Sequence, residues 1–446
     1  MILLNTNSLH FFIPEWTLIP FILMLLSIAI APLIVNHWWE HNKNKLIVSL
    51  VLGVPTAIYL IFAGLTGELE HQLLYDYVPF IILLGALFTV TGGIHLKGDI
   101  EAKPWINTLF LAIGGILASI MGTTGAAMLL IRPVINTNQQ RKFKVHTILF
   151  FIAIVANCGG LLTPLGDPPL FLLFLRGVEF TWFLNLIPEW AFTNGLLLLV
   201  YFIWDSYIYK KEPIENIMND KANVEPIKIV GGLNFVWLIG IVLSVAFITS
   251  KTFFNTDEDI AHYGNSFKLL QAGVLIIMAI LSLLFTKKYI RQANRFSWSP
   301  ITEVAFLFLG IFITMVPALL YLSANAASFG LNEPWHFYYA TGALSSFLDN
   351  APTAISFYEL AKGLNFSNLG SNVMIAGIPE MIMKSIALGA VLFGSMTYIG
   401  NGPNFMVKAI AEENKISMPS FFGYMIKFSL IVLLPIYIIV QLCFLA

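Results

Sequence analysis

Two carboxylates stand where an apolar chain rarely tolerates charge. Asp167 lies in Asn157-Cys158-Gly159-Gly160-Leu161-Leu162-Thr163-Pro164-Leu165-Gly166-Asp167-Pro168-Pro169, which interrupts an apolar run from Thr147 to Leu175. Asp349 lies in Asp349-Asn350-Ala351-Pro352-Thr353, which interrupts Trp335 to Leu360. Neutral oxygens accompany them: Thr123, Thr124, Thr163, Thr397, Asn157, Asn350, Asn401 and Asn404. Hard oxygen donors suit an alkali cation rather than zinc or copper, and no His or Cys cluster lies beside them. Burial disfavours the charged form of a carboxylate. Such a site can exchange a proton for a cation, holding one or the other. Sodium at Asp167 and Asp349 is the expected cargo, with no resident cofactor. Whether the two acids share one site or form two stays open.

Plainer roles compete for the same residues. Asp349 and Asp167 each precede a helix-like stretch and could cap it. A membrane threonine often bonds its own helix. Arg132 could anchor an anion, gate the site, or only snorkel to an interface. Glu380 and Lys384 have the spacing of a local helix pair. His37, His41, His146, His262 and His336 fall near the expected membrane edges and should meet solvent. Cys158 reads as packing.

The elements that would position these groups are membrane helices. The chain is 58% hydrophobic and 11% charged, against about 25% charged residues in soluble domains. Apolar runs of spanning length recur along it, so the expected fold is an all-α integral membrane protein. A net charge of −1 excludes a polybasic nucleic-acid binder. Two cysteines in apolar context make no disulfide framework. No basic n-region or cleavage site marks a removable signal peptide at the start.

Pro and Gly break helices, and freed backbone groups facing lipid cost several kcal/mol each, so broken backbone at membrane depth must line an enclosed cavity. A charge there is a candidate functional site. A second break mirrors the first. Gly394 to Phe405 aligns without gaps on Gly160 to Phe171, so that Thr163 meets Thr397, Gly166 meets Gly400, Asp167 meets Asn401 and Pro169 meets Pro403. Gly115 to Thr123 likewise aligns with Gly342 to Asn350, and Arg132 falls opposite Glu359. Broken helices at matching places in two halves point to a transporter's binding site.

Lys97 and Lys103 precede the segment 105–135, and Arg141, Lys142 and Lys144 follow it. The positive-inside rule puts both ends in the cytoplasm, which predicts a re-entrant hairpin with Gly122 to Gly125 at its tip. The second hairpin, 335–360, would enter from outside, giving inverted repeats. About ten spans plus two hairpins result. Residues 1–76 form N-terminal scaffold spans after an interfacial stretch, 1–16. Residues 77–208 form the first repeat with its broken helix at 146–176, and 209–231 a solvated cytoplasmic linker. Residues 232–300 form further scaffold spans around an acidic outer loop at Asp257 to Asp259, and 301–446 the second repeat with its broken helix at 381–411. Both termini are expected outside a bacterial cytoplasmic membrane, with small ions and the lipid bilayer as partners and a homodimer as the candidate assembly.

The Gly159 to Pro169 break, the Asp349 to Thr353 tip and the Thr397 to Pro403 break resemble those of the ion transporter superfamily that includes citrate-transporter-like proteins, dicarboxylate carriers, arsenite efflux carriers and NhaD-type sodium/proton antiporters. The likeness runs from about residue 77 onward and is greatest to the antiporter branch. It implies inverted repeats, sodium sites between hairpin tip and broken helix, a dimerising scaffold and an elevator-like movement. By motif it transfers site roles to Asp167, Asn157, Thr163, Asp349 and Asn350. The chain departs from the antiporter pattern at Gly122-Thr123, where Asp-Asn is usual, and at Pro168-Pro169, where Thr-Thr is usual. It also lacks the Ser-Asn-Thr tips of dicarboxylate carriers, which argues against citrate or succinate. Sodium/proton antiport is the leading expectation and sodium-coupled anion symport the alternative. An intramembrane aspartyl protease using Asp167 and Asp349 is more distant, because Pro164 stands where its Gly-x-Gly-Asp motif needs glycine.

Overall fold

The computed structural model describes residues 13–364, 366 and 373–445. Of the expected interfacial stretch 1–16, the part up to Phe12 lies outside the described residues. Among the described residues, nine helices are long and apolar enough to cross a membrane. Phe62, Ile34 and Leu284 expose most of their surface on such helices, as side chains facing hydrocarbon do. The chain is a mostly helical, multi-pass integral membrane protein.

Elements differ from the sequence reading in ways that have local causes. The nine helices include Pro104–Met121, read above as a hairpin arm, and Val145–Leu162, read above as half of a broken span. The span expected at 232–250 is the shorter helix Asn234–Phe247. Asp257 to Asp259 are not a loop: they open the helix Asp257–Phe285, with Thr256 as N-cap accepting from the Asp259 N–H at 3.3 Å. Acids in a first helical turn meet the positive end of the helix dipole. The linker is not a plain connector either. It holds the helix Ile214–Ala222 and the strand Glu225–Val230, which pairs antiparallel with His95–Asp99. Ile227, Ile229 and Val230 suit a strand, and Gly98 lets the partner backbone approach, since a Cβ there would lie 2.7 Å from Ile227 Cα.

Two helix pairs and two broken helices form the interior. Pro104–Met121 ends at Gly122, whose φ of 82° turns the chain, and Thr123–Thr137 restarts. Pro334–Phe347 ends at Leu348, and Asn350–Lys362 restarts behind Asp349. The first broken helix runs Val145–Ile154, a 3-10 turn Cys158–Leu162, then Pro168–Leu175. The second runs Glu380–Phe393, a 3-10 turn Gly394–Met396, then Gly402–Glu413. Their backbone angles agree at two aligned positions. Asp167 and Asn401 have φ/ψ of −145°/143° and −150°/139°; Thr163 and Thr397 have −146°/159° and −139°/168°. Each break closes through a glycine pair. A Cβ on Gly166 would lie 1.9 Å from the Gly160 carbonyl oxygen, and one on Gly400 would lie 2.6 Å from that of Gly394.

Buried charges staple the bundle at its ends. Asp205 is fully buried and receives Arg141 at 2.7 Å and His146 Nε2 at 2.8 Å. His146 therefore does not meet solvent: it is buried, stacked on Tyr201 and Trp204. Asp76 takes Arg176 at 3.2 Å and Lys268 at 3.3 Å. Lys384 does not pair with Glu380. It reaches Glu189 at 3.4 Å, while Glu380 accepts from Trp182 Nε1 at 3.1 Å. Cys158 and Cys443 are both free thiols.

Two outcomes test this packing. Gly166→Ala forces a side chain onto backbone and should cost on the order of 3 kcal/mol. Gly195→Ala, at a helix position with nothing within 4 Å, should be neutral or slightly stabilising. Thermal unfolding of the detergent-purified protein reads both, and equal melting temperatures would contradict the glycine contact. Arg141→Met removes the guanidinium from buried Asp205 and leaves it His146, Tyr201 and Asn107, which should lower stability by about 3 kcal/mol; an unchanged melting temperature would show that these remaining partners suffice.

Candidate functional site

Whether a helix-capping acid turns inward or caps its helix depends on the next residues. A cap bonds the N–H of the second or third helical residue. After Asp167 those residues are Pro169 and Leu170, and proline has no N–H. The Leu170 N–H goes to the Asp167 backbone carbonyl at 3.0 Å. The Asp167 carboxylate makes no cap bond and is free to turn into the interior. After Asp349 the second helical residue is Ala351, whose N–H donates to Asp349 Oδ1 at 3.0 Å. Asp349 is thus the N-cap of Asn350–Lys362, and Thr353 Oγ1 donates to its carbonyl at 2.8 Å. Asp349 is half-buried, and no hydrogen bond links it to Asp167.

Asp167 is 1% exposed and accepts from three elements. Thr123 Oγ1, at the first tip, donates to Oδ1 at 2.8 Å. Asn401 Nδ2, in the second break, donates to Oδ1 at 3.0 Å. Asn350 Nδ2, at the second tip, donates to Oδ2 at 2.6 Å. A further amide layer fixes these donors. Asn157 Oδ1 accepts from Asn401 Nδ2 at 3.2 Å, and Asn157 Nδ2 donates to Asn404 Oδ1 at 2.7 Å. Asn404 Nδ2 donates to the carbonyls of Gly394 at 2.8 Å and Thr397 at 2.9 Å. One buried group in this cluster lacks a partner: Asn350 Oδ1.

The remaining sequence candidates sit elsewhere. Thr163 Oγ1 donates to the Ser119 carbonyl, and Thr397 Oγ1 to the Ser346 carbonyl at 2.5 Å. Both threonines staple a break to a tip and have no bond to Asp167. Thr124 lines a cavity of about 70 Å³ with Thr123, Gly166, Leu84, Pro300 and Ile301, between the first tip and the helices Val78–Thr91 and Ser299–Ala324. Arg132 lines a separate cavity with His95, Lys97 and Arg295. Among the described residues, no group of three or more His, Cys, Asp or Glu side chains could hold a metal ion.

Sequence reasoning missed the serines. Ser119 Oγ donates to the Gly159 carbonyl at 2.5 Å, and Ser345 Oγ to that of Ala390 at 2.7 Å. Ser119 and Ser346 were aligned with each other in the tip repeat, which was the signal available. Tyr437 was also missed; its hydroxyl meets Ser395 Oγ at 2.5 Å and Cys158 Sγ at 3.3 Å. Nothing local in its apolar helix marks it out.

Inner membrane protein YbiR of Escherichia coli (strain K12) is 27% identical over 132 residues, a stretch that covers 27% of this chain and 36% of that protein. The similarity thus spans about a third of the relative's length. The family described as "Putative citrate transport" matches residues 11–445. That match covers nearly the whole chain, a helical multi-pass membrane protein with two broken helices around one buried carboxylate, and the chain belongs to this family of membrane transporters.

Proposed function

We propose that the protein is a secondary transporter that exchanges sodium or lithium for protons at Asp167. The observation that carries this reading is Asn350. Its amide donates to Asp167 and leaves Oδ1 buried without a donor. An unpartnered oxygen beside a carboxylate calls for a cation or a proton donor, not for an anion. Rotation of the Asn350 or Asn401 amide replaces a donor by an oxygen, so the cradle that satisfies Asp167 alone becomes a ligand set for a hard cation. Either a proton or a sodium ion then neutralises the same carboxylate, and the two exclude each other. The matched breaks and tips support inverted repeats with re-entrant hairpins around this point.

A second reading, sodium-coupled symport of an anion such as citrate, has two observations in its favour. One is the family's description. The other is that four helices begin at the site: Thr123–Thr137, Pro168–Leu175, Asn350–Lys362 and Gly402–Glu413. Helix N-termini favour negative charge. Against it, no Lys, Arg or His among the described residues bonds to the cluster around Asp167. The protease reading needs two acids sharing a proton, and Asp349 caps its own helix instead.

The test is proteoliposomes with an imposed pH gradient and an internal pH dye. Sodium and lithium should dissipate the gradient and potassium should not. Asp167→Asn should abolish the response. Asn350→Ala should raise the sodium concentration for half-response about tenfold, the loss of one ligand. Asp349→Asn should retain most activity, because Asn caps as well as Asp. If Asp349→Asn is as dead as Asp167→Asn, both acids hold the ion. Silence toward every cation from neutral to alkaline pH, with sodium-driven citrate uptake in its place, would replace antiport by symport.

A further inference from the structure

Away from Asp167, the first helix pair exits beside a separate cavity of about 240 Å³. Its lining brings together His95 and Lys97 from a strand, Arg132 from the exit helix Thr123–Thr137, Arg295, and Asn136 and Asn414. The chain has five arginines. Arg141 and Arg176 are held by carboxylates, and Arg291 by the Thr89 carbonyl and Ser282. Arg295 reaches Glu413 at 3.3 Å in an exposed pair. Arg132 is half-buried and has no hydrogen bond or ion pair among the described residues.

Further features mark this group of cations. Lys97 stands directly across from Lys228 in the two-stranded sheet, and like charges in that position repel. Arg295 adopts a left-handed backbone with φ of 50°, which a side chain rarely adopts. Strain of this kind persists where the surroundings require it and gathers at ligand sites. The nearby acids Asp99 and Glu225 line a different cavity, with Gln139 and Gln140. Among the described residues, Glu413 is thus the one carboxylate paired to this group of cations.

We propose that this cavity is an oxyanion site that takes a phosphate group, held by the Arg132 guanidinium with Arg295 and Lys97. Guanidinium binds phosphate through paired, charge-assisted hydrogen bonds. The phosphate comes either free from solution or on an anionic lipid headgroup, since the site lies at the basic end of the bundle that the positive-inside rule assigns to the cytoplasm. Its ligands sit on a strand, a tip helix and the segment before Ser299–Ala324, so a bound anion ties the first helix pair to its neighbours. The proposal stands independently of which ion moves at Asp167.

The experiment uses the full chain. Inorganic phosphate binding is titrated in detergent by calorimetry, and retention of phosphatidylglycerol over phosphatidylcholine is read by native mass spectrometry from mixed nanodiscs. The parent protein should bind at least one of the two. Arg132→Gln should weaken that binding about tenfold, with Lys97→Gln weakening it less. Lys43→Gln, an exposed cation outside the cavity, should leave it unchanged. Phosphate without lipid identifies a soluble anion; lipid without phosphate identifies a headgroup; either upholds the site. If Arg132→Gln does not fold, Arg132→Lys and Lys97→Gln carry the same comparison. No binding of either ligand by the parent overturns the proposal, as does equal weakening by Lys43→Gln.

Discussion

A carboxylate inside a membrane bundle has to find its donors within the chain, and the interior of this protein is arranged to supply them to Asp167. The three donors lie 44, 183 and 234 residues away in sequence. None is local, so the cluster forms only when both tips and both breaks have come together. That requirement places the rest. Gly122 turns the first tip so that Thr123 faces the carboxylate. The glycine pairs let each break fold back on itself. Pro168 and Pro169 remove backbone donors that would otherwise draw the carboxylate into a cap.

The two halves make corresponding contacts with unequal charge. Thr163 and Thr397 each donate to a serine carbonyl of the adjoining tip. Asp167 and Asn401 share a backbone conformation and face each other through an amide-to-carboxylate hydrogen bond. Two aspartates at that distance would repel, and one would have to stay protonated. An asparagine in the second position keeps the shape and supplies a donor. The cluster around Asp167 therefore holds one carboxylate, which can be neutralised by one proton or one monovalent cation.

Much of this was legible in the residues. Glycine and proline inside apolar runs marked both breaks, and the ungapped match between them named Asp167 with Asn401 and Thr163 with Thr397. Capping was open to both acids, and the chain also separates them: the N–H of Ala351 is available to Asp349 where Pro169 offers none to Asp167. Other features depend on partners that sequence does not specify. His146 looks like an edge residue until Asp205, 59 residues on, arrives to bury it. The strand Glu225–Val230 exists because His95–Asp99 offers it an edge. Lys384 has Glu380 one helical turn away and still pairs with Glu189, because the helices bring that acid within reach.

The four helix starts and the single acid pose one electrostatic problem rather than two. Each helix start carries roughly half a positive charge, so the site without its acid would attract an anion. An ionised Asp167 fills that role internally and occupies the donors Thr123, Asn350 and Asn401. An anionic substrate would then meet both a like charge and donors already taken, while a cation would meet a carboxylate held in place by donors from three elements. Protonation of Asp167 shifts the balance: the charge disappears, the bonds from the amide donors lose their charge assistance, and the helix starts are left unopposed. On the proposed reading, the protonation state of Asp167 is what would favour one sign of ion over the other at this site. The two readings proposed above, cation exchange and sodium-coupled anion symport, would thus draw on the same geometry and differ in whether an anion enters with the cation.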